Sequence, residues 1–138
     1  MSGAGDARAA VFRAQYVALT TYRRDGRAVT TPVWAAAEGG SLYLFSNAAA
    51  GKVKRLRNSP RAAIAPCTAT GRITGAELAA QGRVLPASEM PRVWRLLVAK
   101  YGLPARLFVA YDRARVLFGR PPSVGIEVRL GSAQEARR

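Results

Sequence analysis

Three strand-length runs separated by two tight-turn signals lie between Tyr16 and Ser46, and no other feature limits the possible folds of this chain as strongly. From Tyr16 onward β-branched and aromatic residues dominate, with Val17, Leu19 and Thr21 on one face, and Asp25 with Gly26 supplies a hairpin turn. The returning strand runs from Arg27 to about Ala36. Glu38, Gly39 and Gly40 make a second turn, and Ser41 to Ser46 forms a third strand. Strands joined in sequence by short turns make an antiparallel meander.

The rest of the chain extends this pattern. Asp6 is placed to cap an N-terminal helix ending at Arg13, which would cover one end of a barrel. After Ser46 comes a short basic helix, with Asn47 as its side-chain cap and Ala49, Val53 and Leu56 as its buried stripe. Arg55 then points away from the core. Arg61 to Thr68 reads as a strand terminated by Pro66, and Ile73 to Leu85 as a longer one whose Gly75 and Gly82 suit a bulge or bend of the kind that closes a barrel. Ser88 caps a helix with Met90, Trp94, Leu97, Val98 and Tyr101 at helical spacing, stopped by Gly102. Pro104 opens another, with Leu107, Tyr111, Ala114 and Phe118 on one side. A last strand covers Val124 to Leu130, and the polar residues 131–138 form a flexible tail. At 138 residues the whole reads as one domain, able to bury roughly two thirds of its unfolded surface.

Charge narrows the function. The formal net charge is +14, and no acid occurs between Glu38 and Glu77. Inside that gap Gly51, Lys52, Val53, Lys54, Arg55, Leu56 and Arg57 follow the third strand. A strand leading into a basic helix, whose free N-terminal amides carry the positive end of the helix dipole, is an anion cradle. A solvated basic face is the plainer alternative. Histidine is absent and Cys67 is the single cysteine, so the usual zinc sites and Cys/His nucleophile pairs cannot be assembled within one chain. Cys67 reads as a small buried apolar residue. No apolar run approaches the roughly 18 residues of a spanning helix, so no membrane insertion is expected and a cytoplasmic protein is.

Taken in order, Asp25-Gly26, Thr31 to Trp34, Leu42 to Ser46, Gly51 to Arg57 and Ala65-Pro66-Cys67 with Gly71 make the chain similar to the FMN-binding split-barrel superfamily. Within that pyridoxamine 5'-phosphate oxidase-like group it resembles the small reductases that use the deazaflavin coenzyme F420. The resemblance covers Tyr16 to Leu85, and the later helices and strand agree in order. It implies a mainly β fold with helices, a six-stranded antiparallel split barrel, and a homodimer with the cofactor in a groove at the subunit boundary. It also implies the positions of contact. Thr30, Thr31, Pro32, Val33 and Trp34 would lie along the ring system, and Ser46 and Asn47 would meet the cofactor where the third strand ends. Lys52, Lys54 and Arg57, in that order, would hold its phosphate from the helix that also carries Val53. Ala65, Pro66 and Cys67 would pass beneath the ring, and Arg72 would reach the tail.

The expected activity is hydride transfer from reduced F420 to an electron-poor small organic substrate, with no catalytic acid or nucleophile among the side chains. An apolar pocket lined by Trp34, with Tyr111 or Phe118 of the partner chain, would hold that substrate. Trp34 and the other aromatics also fit plain packing. FMN is the alternative cofactor. It is less favoured because the second strand offers Thr30, Thr31 and Trp34 where FMN-using relatives bring basic residues, and because an anionic oligoglutamate tail profits more from a broad positive field. A basic nucleic-acid-binding barrel is the alternative from another class, disfavoured because the aromatics fall on core faces instead of alternating with basic residues on an open sheet.

Overall fold

The computed structural model describes residues 3–130; the expected flexible tail lies outside them. Helix α1 (Gly3–Arg13) leads into strands β1 (Tyr16–Tyr22), β2 (Ala28–Val33), β3 (Ala36–Glu38) and β4 (Ser41–Ser46). Helix α2 (Gly51–Asn58), strands β5 (Arg61–Cys67) and β6 (Leu78–Val84), helices α3 (Met90–Tyr101) and α4 (Leu103–Leu117), and strand β7 (Val124–Leu130) complete the order. All strand pairs are antiparallel, in the order β2-β1-β5-β6-β7-β4-β3.

Seven strands replace the expected six because the segment read as one strand from Arg27 to about Ala36 is broken at Trp34 and Ala35. Its two halves, β2 and β3, form opposite ends of the strand order. The chain therefore steps across from one edge of the curled sheet to the other, which is how a split barrel closes. This is a mainly β, split-barrel fold with helices, as expected, but β2 and β4 are not neighbours, so the first strand runs do not form the expected meander. The β3–β4 turn follows the expected chemistry: Gly39 and Gly40 have φ of 60° and 83°, the pair of positive values a two-residue hairpin turn requires.

Strand β4 explains its own sequence. Leu42 and Leu44 point into the barrel with Val17, Leu19, Ile64, Ile126 and Val128, while Tyr43 points outward into a second core under α3 with Val93, Leu97 and Tyr101. Both faces are covered, so the run is continuously apolar. Helix α2 packs Val53 and Leu56 into the barrel core. Gly82 on β6 has no side chain because Leu56 lies there; a Cβ would stand 2.9 Å from its Cδ2. Val11 of α1 enters the same core, in keeping with a helix covering the barrel.

Several local expectations are corrected. Asp6 lies in the first turn of a helix that already begins at Gly3. Ala50, without a side-chain cap, starts α2, and Asn47 Oδ1 instead accepts from Ala49 N at 2.8 Å in the preceding turn. Ala49 is exposed, and Ala50 is the residue that packs. Ser88 sits in a turn of 3₁₀ helix, Ala87–Glu89, and does not cap α3. Pro66 lies inside β5, opposite Val17, and does not end it. The strand expected from Ile73 is regular only from Leu78; Ile73 makes a single bridge to Cys67. Gly75 instead lets the loop fold over Pro66, since a Cβ there would come within 2.7 Å of the ring.

The break in the second strand strips Ala35 of ladder partners, and α3 supplies replacements. Ala35 N donates to Tyr101 Oη at 3.0 Å, Tyr101 Oη donates to Gln15 O at 2.8 Å, and Lys100 Nζ donates to Ala14 O at 2.7 Å and to Ala35 O at 2.6 Å. Burial holds the Lys100 ammonium below its ordinary pKa and the Tyr101 phenol above its own. Tyr101→Phe should therefore lower stability by about 1–3 kcal/mol, the cost of a buried amide left without an acceptor. Urea unfolding checks this; an unchanged midpoint would mean that Ala35 finds another partner.

Candidate functional site

The broken strand places three of the expected ring-facing residues around one opening. Pro32, Val33 and Trp34, with Tyr16, Phe45 and Phe108, line a cavity of about 360 Å³. A second cavity, of about 320 Å³, shares Phe45 and Phe108 and continues to Asn47, Tyr111, Asp112 and Arg115. The two adjoin through that shared aromatic pair. Pro32, Val33, Trp34 and Asn47 are thus brought together, while Thr31 lies half-buried on the same strand. Thr30 Oγ1 is tied to Thr20 Oγ1 at 2.6 Å. Ser46 is buried, with its hydroxyl on the carbonyl of Asn47 at 3.2 Å.

Helices α3 and α4 hold the aromatic wall. Trp34 stacks on Tyr101 with ring centroids 4.5 Å apart and planes 9° from parallel, and Phe108 meets its ring nearly edge-on at 5.3 Å. One face of Trp34 is therefore already covered, and its packing role and its place on the cavity wall coexist. Phe45 is held between Trp94 and Phe108. Tyr111 reaches the second cavity from its own chain, where the sequence had suggested the partner's copy, and Phe118 lines neither cavity.

The cationic corner lies around α2, and its composition differs from the expectation. Lys54 and Arg57 are exposed, whereas Lys52 is half-buried and Arg55 folds back toward β1, its Nε donating to Thr21 Oγ1 at 2.6 Å. The Arg55 guanidinium occupies the space over Gly51, where a Cβ would lie 2.6 Å from its Nη1. The first turn of α2 contains no acid, and neither Lys52 nor Arg55 has an ion-pair partner among the described residues. Burial, and then the Arg55 charge, push the Lys52 ammonium below its ordinary pKa; burial, and then Arg23, do the same to Arg55. Two uncompensated cations beside the positive end of a helix repel one another, and an anion relieves all three at once.

Arg55 is the residue that sequence reasoning missed. Its signal was the three-residue spacing from Lys52, which puts both on one side of a helix. Phe108 was missed for a similar reason: Ala105, Phe108 and Asp112 form a second helical row beside the chosen one, with Ala105 and Asp112 buried and Phe108 partly exposed against Trp34 and Phe45. Two further expectations are corrected. Val53 is fully buried in the barrel core and its amide bonds to Ala50 O at 3.1 Å, so it has nothing left to offer a ligand. Ala65 is likewise fully buried, and the Pro66 carbonyl already accepts from Thr74 N at 2.9 Å. Cys67 is buried with its thiol pKa raised by desolvation, which suits a packed apolar residue. Arg72 is exposed on a loop whose Gly71 lies against Pro32, at the rim of the first cavity.

The sequence pattern of the pyridoxamine 5'-phosphate oxidase family matches residues 5–129. The chain belongs to that family. No curated protein matches it. Among solved structures, this pyridoxamine 5'-phosphate oxidase family member is similar to a conserved hypothetical protein from Mycobacterium tuberculosis, at 21% identity over 94% of this chain and 84% of that one, with a TM-score of 0.64. It is similar to an FAD-binding protein from Mesorhizobium loti at 14% identity over 96% and 90%, TM-score 0.63. It is also similar to an F420 reductase at 18% identity over 91% and 93%, TM-score 0.57. At such identities the likeness is one of fold.

Proposed function

We propose that this member of the pyridoxamine 5'-phosphate oxidase family is an F420-dependent reductase that acts on an electron-poor small organic substrate, with a second copy of the chain completing the groove. The observation that carries this reading is the pairing of an aromatic-walled cavity with an acid-free cationic corner along a single strand. Val29 pairs with Thr21, which holds Arg55, and Val33 lines the cavity four residues on, about 13 Å at 3.3 Å per residue. An elongated ligand with a flat ring at one end and a phosphate farther along suits that spacing.

The residues fit such a group. Lys52 and Arg55 would hold its phosphate, with the first amides of α2 adding their dipole. Pro32, Val33 and Trp34 would take the ring edge, Asn47 would offer an amide to its polar rim, and Arg72 would face an anionic tail. When bound, reduced F420 supplies the hydride. The protein orients substrate against the aromatic wall and excludes water, a contribution that needs no ionisable side chain at the reacting atoms. The sheet aromatics lie beneath α3 and α4, which argues for this role over binding of single-stranded nucleic acid.

Equilibrium titration of the protein with F420 and with FMN, side by side, tests the reading. Micromolar or tighter F420 binding, at least tenfold stronger than FMN, is expected. FMN binding the more tightly would assign a flavin enzyme on the same fold, and binding of neither would remove the proposal. Sedimentation as a monomer at micromolar concentration would remove the shared groove.

A further inference from the structure

Helix α4 carries its apolar stripe on the wrong side for a core. Its buried residues are Ala105 and Asp112, and the opposite face presents Leu103, Leu107, Tyr111, Leu117 and Phe118 to solvent, the last two 85% and 86% exposed. At 3.6 residues per turn these fall on one side of the helix, with Arg106 and Arg113 along one margin and Arg115 along the other. None of these arginines has an ion-pair partner among the described residues. The helix's one acid, Asp112, is buried and accepts from the amide and hydroxyl of Ser123 at 2.9 and 2.7 Å.

We infer that this face docks on the surface of an anionic phospholipid bilayer, with Leu117 and Phe118 entering the headgroup boundary and the arginine margins pairing with lipid phosphates. An apolar stripe between basic margins has the form of an interfacial helix, and the net charge of +14 adds long-range attraction to the same surface. A second copy is a poor occupant, because a twofold pairing through this face would set arginine margins against each other with no exposed acid on the helix to answer them. Docking here differs from spanning, for which no described helix is long and apolar enough. It would also bring the bilayer beside the second cavity, since Phe108 and Tyr111 of the same helix line it, and so give a lipid-soluble substrate a direct approach.

Co-sedimentation with vesicles tests this. The wild-type chain should bind an equal mixture of phosphatidylcholine and phosphatidylglycerol, and not phosphatidylcholine alone. The double substitution Leu117→Ser with Phe118→Ser leaves the charge unchanged and should lower the partition at least about tenfold. Leu103→Ser with Leu107→Ser provides an independent second variant should the first lose its near-ultraviolet circular dichroism. Wild-type partition by the folded variants would show that net charge alone attracts the protein and would overturn the docking face. So would absence of binding to anionic vesicles, or a lipid-free dimer that the serine variants dissociate, which would make the face a self-interface.

Discussion

Lys52→Ala should weaken F420 binding about tenfold or more, and the double substitution with Arg55→Ala about a hundredfold, with Lys52→Ala unfolding at nearly the wild-type urea midpoint and the double variant about 1 kcal/mol less stable. The size follows from charge-assisted contacts worth about 1.5–3 kcal/mol each when shielded from water. Lys52 has no acid partner to lose among the described residues, whereas Arg55→Ala also removes the bond from Arg55 Nε to the buried Thr21 hydroxyl. Lys54→Ala, at an exposed position, serves as the contrast and should change affinity less than about twofold. Equal losses for Lys52→Ala and Lys54→Ala would mean that the whole basic surface, and not a built corner, attracts the ligand.

The same corner has a pH signature. The free Lys52 ammonium has its pKa lowered from 10.5, first by burial and then by Arg55, and only the protonated form attracts an anion. Affinity should therefore be full at pH values below that lowered pKa and fall as pH rises through it, in a window below 10.5. Lys52→Arg should carry the fall to higher pH. Titrations at neutral and alkaline pH decide this; a wild-type affinity that does not decline would place Lys52 outside the contact.

The largest effect on stability is expected at Leu44→Ala, with a loss of about 2–5 kcal/mol. Leu44 is fully buried in the barrel and stands opposite Ile126 across the β4–β7 pair, so truncation removes contacts and leaves a cavity that a closed sheet refills poorly. Leu107→Ala, on the outward face of α4, should change stability by less than about 0.5 kcal/mol. Urea denaturation of both variants makes the comparison. Similar losses would imply that α4 rests against something in solution that covers Leu107.

Period and turn chemistry carried most of the architecture. Strands β1, β4 and β7, the Gly39-Gly40 turn and the amphipathic α3 follow from local residue patterns, as does α2 as a basic helix after β4. Family membership followed from the ordered motifs. What local pattern does not contain is which of two compatible helical rows finds a neighbour. On α4 the row Leu107, Tyr111, Phe118 is the more apolar, yet the row Ala105, Phe108, Asp112 packs, because Trp34 and Phe45 from distant strands stand under it. On α2 the position of Arg55 was decided by Thr21, 34 residues away in the chain. Capping by Asn47 and Ser88 failed similarly, since each side chain's choice depends on the path by which the backbone enters the helix.

The amino-acid order by itself determined that this chain would be a mainly β barrel with a cationic turn after its third strand run, because alternation, glycine pairs and charge are properties of neighbouring residues. Only the tertiary structure decided that the second strand breaks at Trp34, that Tyr101 and Lys100 satisfy the break, and that Arg55 folds back over the first turn of α2, on the side of Lys52. Those outcomes depend on closing the barrel, which brings residues far apart in the chain to one place and leaves each polar group to bond with whatever partner closure provides.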